Sequence, residues 1–409
     1  MLEVDNLDDE PKALRIAIVS ETWPPEINGV AITLHRLAVE LQKRHHSVQV
    51  IRPRQGTNNQ VGLAGTFDET LTLGLPIPAY PHLKLGLPAK RLLIKLWSVR
   101  RPDLVHIATE GPLGWSAIQA ARKLKIPVSS DFRTNFHSYS QYYGFSRMRR
   151  AIALYLRKFH NQTDFTTVPT EALKQQLRVY GFERLEVVAR GVDTDRFQPS
   201  RRDLLLRQRW GANDESRVYL YVGRLAVEKN PSLLSQAWKK IREQDPQAKL
   251  VLVGEGPAES VFRQLIPDGL YTGAKRGDEL TSHFASADLF LFPSMTETYG
   301  NVIAEAMASG LASLSYDYAA SSELVKHEQN GWVARYGDEK HFLELASRLS
   351  ELPNADLSIL REKARQTTLD RGWSVITSQL ESLWHDLLTL SSRRGLDEYG
   401  MPSRANYSL

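Results

Sequence analysis

The stretch that most constrains the fold of this chain is residues 288–310. Every residue between Asp288 and Pro293 is apolar, which predicts a short strand buried on both faces. Residues 302–309 are rich in Ala and Met and are followed by Gly310, which predicts a helix and its end. The loop between them therefore leaves the carboxyl end of a core strand and enters a helix. Loops in this position carry the ligand sites of open α/β sheets.

The start of this helix is suited to an anion. The positive end of the helix dipole and unpaired backbone N–H groups favour a phosphate there. These N–H groups belong to Tyr299, Gly300, Asn301 and Val302. Two carboxylates, Glu297 and Glu305, flank the same place, where hydrogen bonds from sugar hydroxyls would give them a role beside a phosphate. The alternative is a solvated loop Glu and a second Glu favoured only by the helix dipole.

Apolar strands alternate with amphipathic helices along the whole chain. Residues 14–20, 48–51, 103–107 and 126–130 read as strands of a first half, and residues 218–222 start a second series. This alternation predicts parallel sheets of the doubly wound α/β class. With 409 residues the chain is longer than one core usually serves, so we expect two domains.

The loop after residues 218–222 carries two cations, Arg224 and Lys229. Five residues of loop would allow both side chains to reach one diphosphate, and two cations would neutralise it as it leaves. Salt-bridged surface charges are the alternative interpretation. A tempting metal motif, Asp193-Thr-Asp195, lies in the linker at residues 190–199, but no further carboxylate or histidine cluster supports it, so we expect no metal site.

Composition excludes several classes of protein. The absence of cysteine excludes a disulfide framework and thiolate chemistry. No run of 18 apolar residues is present, and the acidic N-terminus does not resemble a signal peptide. Residues 84–158 contain 15 Lys/Arg and 3 Asp/Glu, a net charge of +12 in a chain of +5. This basic region indicates an anionic partner, either a membrane surface, a nucleic acid or an acidic substrate.

Taken together, these motifs resemble the retaining glycosyltransferases of family 4 over nearly the whole chain. The most specific signal is Glu297-x7-Glu305 within Phe292-Pro-Ser-x-Thr-Glu-Thr-Tyr-Gly-Asn-Val, followed by Gly223-Arg-Leu with Glu228-Lys-Asn. Further motifs are similar to the branch that holds GDP-mannose-dependent α-mannosyltransferases and sulfoquinovosyl-diacylglycerol synthases. They are Pro24-Pro-Glu-Ile-Asn-Gly-Val, Thr134-Asn-Phe, Arg190-Gly-Val-Asp and Gly277-Asp-Glu-Leu.

The resemblance implies the GT-B fold, in which two Rossmann-like domains with doubly wound parallel sheets face each other. We expect an acceptor-side domain over residues 12–198 and a nucleotide-sugar-binding domain over residues 199–372. A helix over residues 373–390 would cross back to the first domain. Residues 391–409 form a polar tail that we expect to be disordered.

Site roles follow from the resemblance, position by position. Arg224 and Lys229 would hold the donor diphosphate, Glu297 the sugar hydroxyls and Glu305 the ribose. Gly29 would let the N-terminal loop approach the donor phosphate. The residues expected to bind substrate in the first domain are Arg133, Asn135 and His137. Arg133 stands where the family usually has His, and it cannot act as a base at neutral pH, which leaves the donor sugar open.

The sequence thus predicts a metal-independent, retaining hexosyltransferase that takes GDP-mannose or a UDP-sugar and needs no cofactor. The acceptor is expected to be lipid-linked, with the enzyme cytoplasmic and peripherally attached to an anionic membrane surface. Two basic amphipathic stretches, residues 83–97 and 147–158, motivate this attachment. A transferase for soluble acceptors and, from another class, a nucleic-acid-binding protein that uses the basic half are the alternatives.

Overall fold

The computed structural model describes residues 13–26, 28–55, 67–77, 80–133, 146–213, 215–297 and 299–398. These residues form two compact units. The first holds residues before Thr134, those between Phe145 and Val188, and those from Thr377 onward, and the second runs from Ala189 to Ile376. The units divide before the boundary that the sequence predicts between residues 198 and 199.

The first unit is built on a parallel sheet of seven strands. Its strands in chain order are β1 (Arg15–Val19), β2 (Ser47–Pro53), β3 (Asp68–Thr72), β6 (Leu104–Ile107), β7 (Val128–Asp131), β8 (Phe165–Val168) and β9 (Leu185–Val187). In space they are ordered β3-β2-β1-β6-β7-β8-β9. Its helices are α1 (Gly29–Lys43), α2 (Lys90–Val99), α3 (Pro112–Lys123), α4 (Ser146–His160) and α5 (Glu171–Val179). The predicted α/β class is confirmed for this half.

The first unit also contains a two-stranded antiparallel hairpin that the sequence analysis does not predict. It consists of β4 (Gly74–Ile77) and β5 (Tyr80–Gly86). The basic stretch at residues 83–97 is therefore not one continuous amphipathic element, because it ends strand β5 and then begins helix α2.

The second unit is a parallel sheet of six strands. They are β10 (Val218–Val222), β11 (Lys249–Val253), β12 (Leu270–Tyr271), β13 (Leu289–Phe292), β14 (Ala312–Tyr316) and β15 (Gly331–Ala334), in the spatial order β12-β11-β10-β13-β14-β15. The helices are α6 (Leu204–Arg209), α7 (Pro231–Gln244), α8 (Glu259–Leu265), α9 (Gly277–Ser286), α10 (Asn301–Ala308), α11 (Ala320–Leu324), α12 (Glu339–Ser350) and α13 (Asn354–Leu369).

Local chemistry explains why these elements begin where they do. Strands β10 and β13 are buried along their whole length, as expected of central strands covered on both faces. Helix α7 starts at Pro231, whose fixed φ suits a first helical position, and the Asn230 side chain accepts a hydrogen bond from Leu233 N at 3.2 Å. Asn28 caps α1 in the same way by accepting from Ala31 N at 2.9 Å.

The last helix, α14 (Trp373–Glu398), begins at the predicted residue but extends past the predicted end at residue 390. Residues 391–398 are therefore helical and not part of a disordered tail. Within the first unit Trp384 is fully buried, and its indole N–H donates to Ser129 Oγ at 2.9 Å. Glu381 pairs there with Arg44 at 2.7 Å and contacts His46 at 2.5 Å. These contacts fix the helix to the first unit.

Candidate functional site

The topology of the second sheet singles out one edge for ligand binding. The chain leaves β10 towards β11 and β12 on one side and later returns as β13 on the other side. The two loops that follow β10 and β13 therefore diverge and leave a crevice at the carboxyl ends of these strands. In open α/β sheets such a switch point is where ligands bind.

A cavity of about 420 Å³ lies at this switch point, which is within the usual range for a small-molecule site. Its lining residues come from the ends of β10 and β13, the loops that follow them and the start of α10. They are Val222, Gly223, Arg224, Glu228, Lys229, Phe292, Thr296, Glu297, Gly300, Asn301 and Val302.

Lys229 and Glu297 meet inside this cavity. The Lys229 ammonium donates to Glu297 Oε1, and both side chains are more than four-fifths buried. Ser294 Oγ donates to the same carboxylate oxygen at 2.8 Å, and the ammonium lies 5.7 Å from the centre of the Phe292 ring. The Tyr318 hydroxyl donates to the Glu297 carbonyl at 2.9 Å, which fixes the loop backbone. A cation and a carboxylate are thus presented together on a supported loop.

Arg224 is held at the same cavity by a second carboxylate. Its guanidinium pairs with Glu228 four residues further along the chain. Burial acts to raise the pKa of Glu228, but its own backbone N–H and Arg224 outweigh burial and hold that pKa below its ordinary value. Both cations of the cavity are therefore already paired with anions, and a bound diphosphate would compete with Glu228 and Glu297 for them.

The third component is the N-terminus of α10. Gly300 precedes the helix with φ +87°, a conformation that favours glycine, and among the described residues no side-chain cap is present at this end. The first N–H groups of the helix are consequently available to a ligand, at the positive end of the dipole. Asn301 and Val302 line the cavity at this position. Two cations and a helix start thus face one space, which suits the two phosphates of a nucleoside diphosphate.

Two of the expected donor residues are not among the described residues that line the cavity. Tyr299 is 4% exposed and its side chain packs in the core of the second unit, whereas the contact expected of this residue is from its backbone N–H. Glu305 lies one helical turn beyond Asn301 and is also absent from that lining. Burial raises the pKa of Glu305 to about 7, although the charge of Arg196 acts to lower it.

The expected residues of the first unit are placed as follows. Gly29 is the first residue of α1, and nothing in the described part of the chain lies within 4 Å of a Cβ built there, so packing alone does not require a glycine. Arg133 is buried at the end of β7 and pairs with Asp131 at 2.6 Å. Asn135 and His137 lie outside the described residues.

Asp193 serves the local backbone, because its carboxylate accepts a hydrogen bond from Arg196 N at 3.1 Å. Among the described residues, no group of three or more His, Asp or Glu side chains could hold a metal ion.

The sequence analysis did not single out three acidic residues that follow the carboxyl ends of central strands. Glu228 was read only as part of a motif, although its spacing from Arg224 is that of an ion pair on one helical turn. In the first sheet the switch point falls between β1 and β6, where Glu21 and Glu110 follow the two strands. Burial and the nearby charge of Glu110 raise the pKa of Glu21 to about 7, against the hydrogen bond from Leu113 N. Their place at strand ends was the available signal.

Two parallel-sheet units, one of them with paired cations, carboxylates and a helix start at its switch point, agree with the GT-B glycosyltransferase class that the motifs resemble. Solved structures support the fold. The chain superimposes on sucrose-phosphate synthase from Thermosynechococcus elongatus with a TM-score of 0.74 and 16% identity, over 92% of this chain and 100% of the other. Anabaena HepE in complex with UDP and glucose gives a TM-score of 0.69 and 19% identity, over 93% and 100%.

Sequence comparisons fix the family. Residues 27–196 match Glycosyltransferase Family 4, and residues 204–367 match Glycosyl transferases group 1. The chain is 30% identical to a GDP-mannose-dependent alpha-mannosyltransferase from Corynebacterium glutamicum, over 95% of this chain and 93% of that protein. It is 28% identical to a sulfoquinovosyl transferase from Arabidopsis thaliana, over 91% and 73%. The chain belongs to glycosyltransferase family 4, as its motifs predicted.

Proposed function

We propose that this glycosyltransferase moves a hexose from a nucleoside diphosphate sugar to a hydroxyl group of a lipid-linked acceptor, with retention of anomeric configuration. The observation that carries the donor assignment is the cavity of the second unit, where Arg224 and Lys229 share one space with the start of α10. Few ligands other than a diphosphate present enough negative charge for both cations and a helix N-terminus.

The pairing of these cations suggests how the donor is received. An incoming diphosphate takes over Lys229 and Arg224, and the carboxylates of Glu297 and Glu228 are then free of their ion-pair partners. Glu297 can accept hydrogen bonds from the sugar hydroxyls, because the sugar is attached to the phosphate that Lys229 holds. Glu305 would accept from the ribose hydroxyls once the nucleoside covers α10.

Chemistry in such a site needs little more than positioning and charge stabilisation. The acceptor hydroxyl attacks on the face from which the diphosphate departs, and a diphosphate oxygen takes the proton, so no protein base is required. Arg224, Lys229 and the helix start stabilise the charge that develops on the leaving group. These groups supply the positive charge that a metal ion would otherwise provide, so we propose that transfer is metal-independent.

The donor is GDP-mannose or a UDP-sugar. The Corynebacterium relative is named for GDP-mannose, and relatives in Mycobacterium tuberculosis and Mycolicibacterium smegmatis carry the same name at 30% identity. Arg133 leaves the sugar open, because its guanidinium can hydrogen-bond a sugar oxygen or an anionic substituent equally well.

The acceptor assignment is supported by relatives that synthesise glycolipids. An alpha-monoglucosyldiacylglycerol synthase from Streptococcus pneumoniae is 25% identical over 86% of this chain. The net charge of +12 at residues 84–158 suits an anionic lipid surface, where each Lys or Arg contributes about 1 kcal/mol. No helix in the described part of the chain combines the length and the apolar character needed to cross a bilayer. We therefore propose peripheral attachment.

The donor assignment is tested by a thermal-shift screen of GDP- and UDP-sugars with the whole chain. A ligand at 100 times its Kd stabilises the folded state by about 2.7 kcal/mol, which raises the melting temperature measurably. We expect one nucleotide class to raise it and the other to have little effect. If neither class shifts the melting temperature at millimolar concentration, the donor proposal is wrong.

The roles of the two cations are tested by substitution. We expect Lys229→Ala or Arg224→Ala to lower turnover by about 10²–10³, the range for loss of one key electrostatic stabiliser. Lys340→Ala is the matched control, because its side chain is 89% exposed and pairs loosely with Glu344 at 3.8 Å. Turnover is measured on variants whose melting temperatures match the parent. Near-normal turnover of a folded Lys229→Ala protein would remove the diphosphate role from this residue.

A further inference from the structure

The hairpin of the first unit exposes leucines where a folded domain usually hides them. Leu73, Leu75 and Leu85 are 75%, 56% and 40% exposed. A single exposed leucine needs no explanation, but several side by side on one element mark an interaction surface.

Pairing across the hairpin shows which way its two faces point. Gly74 lies opposite Gly86 in the antiparallel register, and Leu75 lies opposite Leu85. A Cβ added to Gly74 would stand 2.8 Å from the Cβ of Pro53, so this pair faces the body of the unit. The leucine pair must then face outward, because successive side chains of a strand alternate between faces.

The other half of the glycine pair is equally close to the domain. A Cβ on Gly86 would stand 2.7 Å from the Cβ of Leu113 at the start of α3. Larger residues at the two glycine positions would push the hairpin away from the domain. The glycines of the hairpin therefore face inward and its leucines face outward, which is the reverse of the usual pattern for a sheet that covers a core.

The outward face is a continuous patch. Opposite residues of an antiparallel pair have their Cβ atoms about 4.5–5.5 Å apart, so Leu75 and Leu85 are in reach of each other. Leu73 is two residues before Leu75 and shares its face, and its carbonyl accepts from Leu87 N at 2.8 Å, which continues the ladder. We name Leu73, Leu75 and Leu85 the leucine face.

Basic residues are concentrated in the sequence around the leucine face. Residues 70–102 contain six Lys/Arg and no Asp/Glu. Arg100 is neutralised by Asp68 at 2.6 Å. Within the described part of the chain no ion pair forms at the four lysine and arginine residues nearest the hairpin in sequence, which are Lys84, Lys90, Arg91 and Lys95.

Helix α2 brings these charges to the hairpin. Ala89 N, just before the helix, donates to Ser116 Oγ of α3 at 3.1 Å, and Gly86 rests against Leu113 of the same helix. The end of β5 and the start of α2 are therefore both anchored on the first turns of α3. Leu92, 46% exposed, adds an apolar side chain to the basic helix.

We propose that the leucine face inserts into the surface of an anionic phospholipid bilayer, with Lys90, Arg91 and Lys95 of α2 against the headgroups. This inference rests on the proposed function, because a lipid-linked acceptor would be reached at that surface. Apolar side chains enter the boundary between headgroups and acyl chains, while basic side chains bind anionic lipid. A second copy of the chain is a poorer occupant, because a two-fold interface would bring the cations of α2 from each copy together.

The test mixes the whole chain with vesicles of neutral phosphatidylcholine, with or without 30% phosphatidylglycerol, and sediments the vesicles. On the anionic vesicles each bound Lys or Arg is expected to contribute about 1 kcal/mol of binding free energy. We expect binding only to the anionic vesicles. The double variant Leu75→Ser/Leu85→Ser should lose at least about tenfold in partitioning, because two apolar side chains no longer leave water. Val179→Ser is the matched control, since Val179 is 86% exposed in the same unit on α5 and should leave partitioning unchanged.

Charge is tested separately with Lys90→Glu/Arg91→Glu. This variant should weaken binding at low salt and little at high salt, where screening already weakens the electrostatic term. Donor binding, read by thermal shift, and transfer to a detergent-dispersed acceptor should stay normal in all of these variants. Those two assays report the proposed function independently of a bilayer.

Two results would overturn the inference. One is unchanged vesicle binding by the double leucine variant. The other is the absence of binding to the anionic vesicles, and concentration-dependent dimers that the double leucine variant abolishes would then assign the leucine face to a second copy. Loss of the thermal shift with every nucleotide sugar would instead contradict the proposed function and leave vesicle binding to be judged by itself.

Discussion

Asp288 connects several parts of the second unit, and replacing it gives a quantitative test of the fold. Its carboxylate is 8% exposed and pairs with Arg202 at 2.8 Å, Arg207 at 3.0 Å and Arg361 at 3.1 Å. It also accepts from Val218 N at 2.9 Å, at the start of β10. Three arginines, one just before α6, one on α6 and one on α13, thus depend on one anion.

The expected cost of Asp288→Ala follows from this burial. Removing one partner of a buried ion pair costs about 3–5 kcal/mol, because the other charge stays buried without compensation. Arg207, whose side chain is 2% exposed, is the charge most affected. For a unit of this size each kcal/mol lowers the melting temperature by about 2–4 °C, so we expect a loss of about 6–20 °C.

The control is Asp278→Ala. Asp278 pairs with Arg201 at 3.2 Å, but its side chain is 79% exposed, and exposed pairs contribute at most about 1 kcal/mol. Both variants are unfolded in urea at pH 7 and their free energies of unfolding are compared with the parent. A loss for Asp288→Ala no larger than that for Asp278→Ala would show that the buried network does not hold the unit together.

The pH dependence provides a second check of the same network. Burial acts to raise the pKa of Asp288, but Arg202, Arg361 and Arg207 outweigh it and hold the pKa below its ordinary value. A depressed pKa contributes stability that is present above the ordinary pKa and is lost as pH falls through the folded-state pKa. The stability difference between parent and Asp288→Ala should therefore shrink in acid. A difference that stays constant down to pH 3 would contradict the assignment.

Three further predictions concern pH, packing and metals. Burial raises the pKa of Glu21 to about 7, so the folded state favours the protonated carboxyl group. The stability that this group contributes is fully present below about pH 4.5 and is lost as pH rises through 7. Its ionised form then costs on the order of 3 kcal/mol, so Glu21→Gln should melt progressively higher than the parent between pH 5 and 8, and a constant difference would refute this. Gly111→Ala should destabilise the chain by about 1–3 kcal/mol, because its Cβ would stand 1.9 Å from a carboxylate oxygen of Glu21, whereas Gly29→Ala should leave the melting temperature unchanged. Transfer should persist in excess EDTA, and loss of activity that Mg²⁺ or Mn²⁺ restores would return Asp193 and Asp195 to consideration as metal ligands.

Much of the fold was predictable from local sequence alone. Buried parallel strands are continuous apolar runs, so β10 and β13 were read within a residue or two of their ends, and the Gly310 stop marked the end of α10. Lys229 and Arg224 are predictable because both lie in the loop between a buried strand and a helix, which is where ligands bind in open α/β sheets. The family motifs then added the order and spacing that a single loop does not provide.

The partners of those residues were decided only by tertiary structure. Lys229 meets Glu297 although 68 residues separate them, because β10 and β13 are neighbours in the sheet. Asp288, just before β13, likewise pairs with Arg202, Arg207 and Arg361, which lie 86, 81 and 73 residues away along the chain. Strand order is a non-local property, and periodicity, which describes neighbours along one chain segment, carries no information about it.

The hairpin shows the same limit most clearly. Its leucines alternate with glycine, proline and lysine, and a period of two predicts a strand but does not say which face is buried. Only the closeness of Pro53 to Gly74 and of Leu113 to Gly86 decides that the leucines point outward. The sequence determined the alternation, and the space left beside β2 and α3 determined which set of side chains meets water, because a close backbone approach excludes every side chain larger than that of glycine.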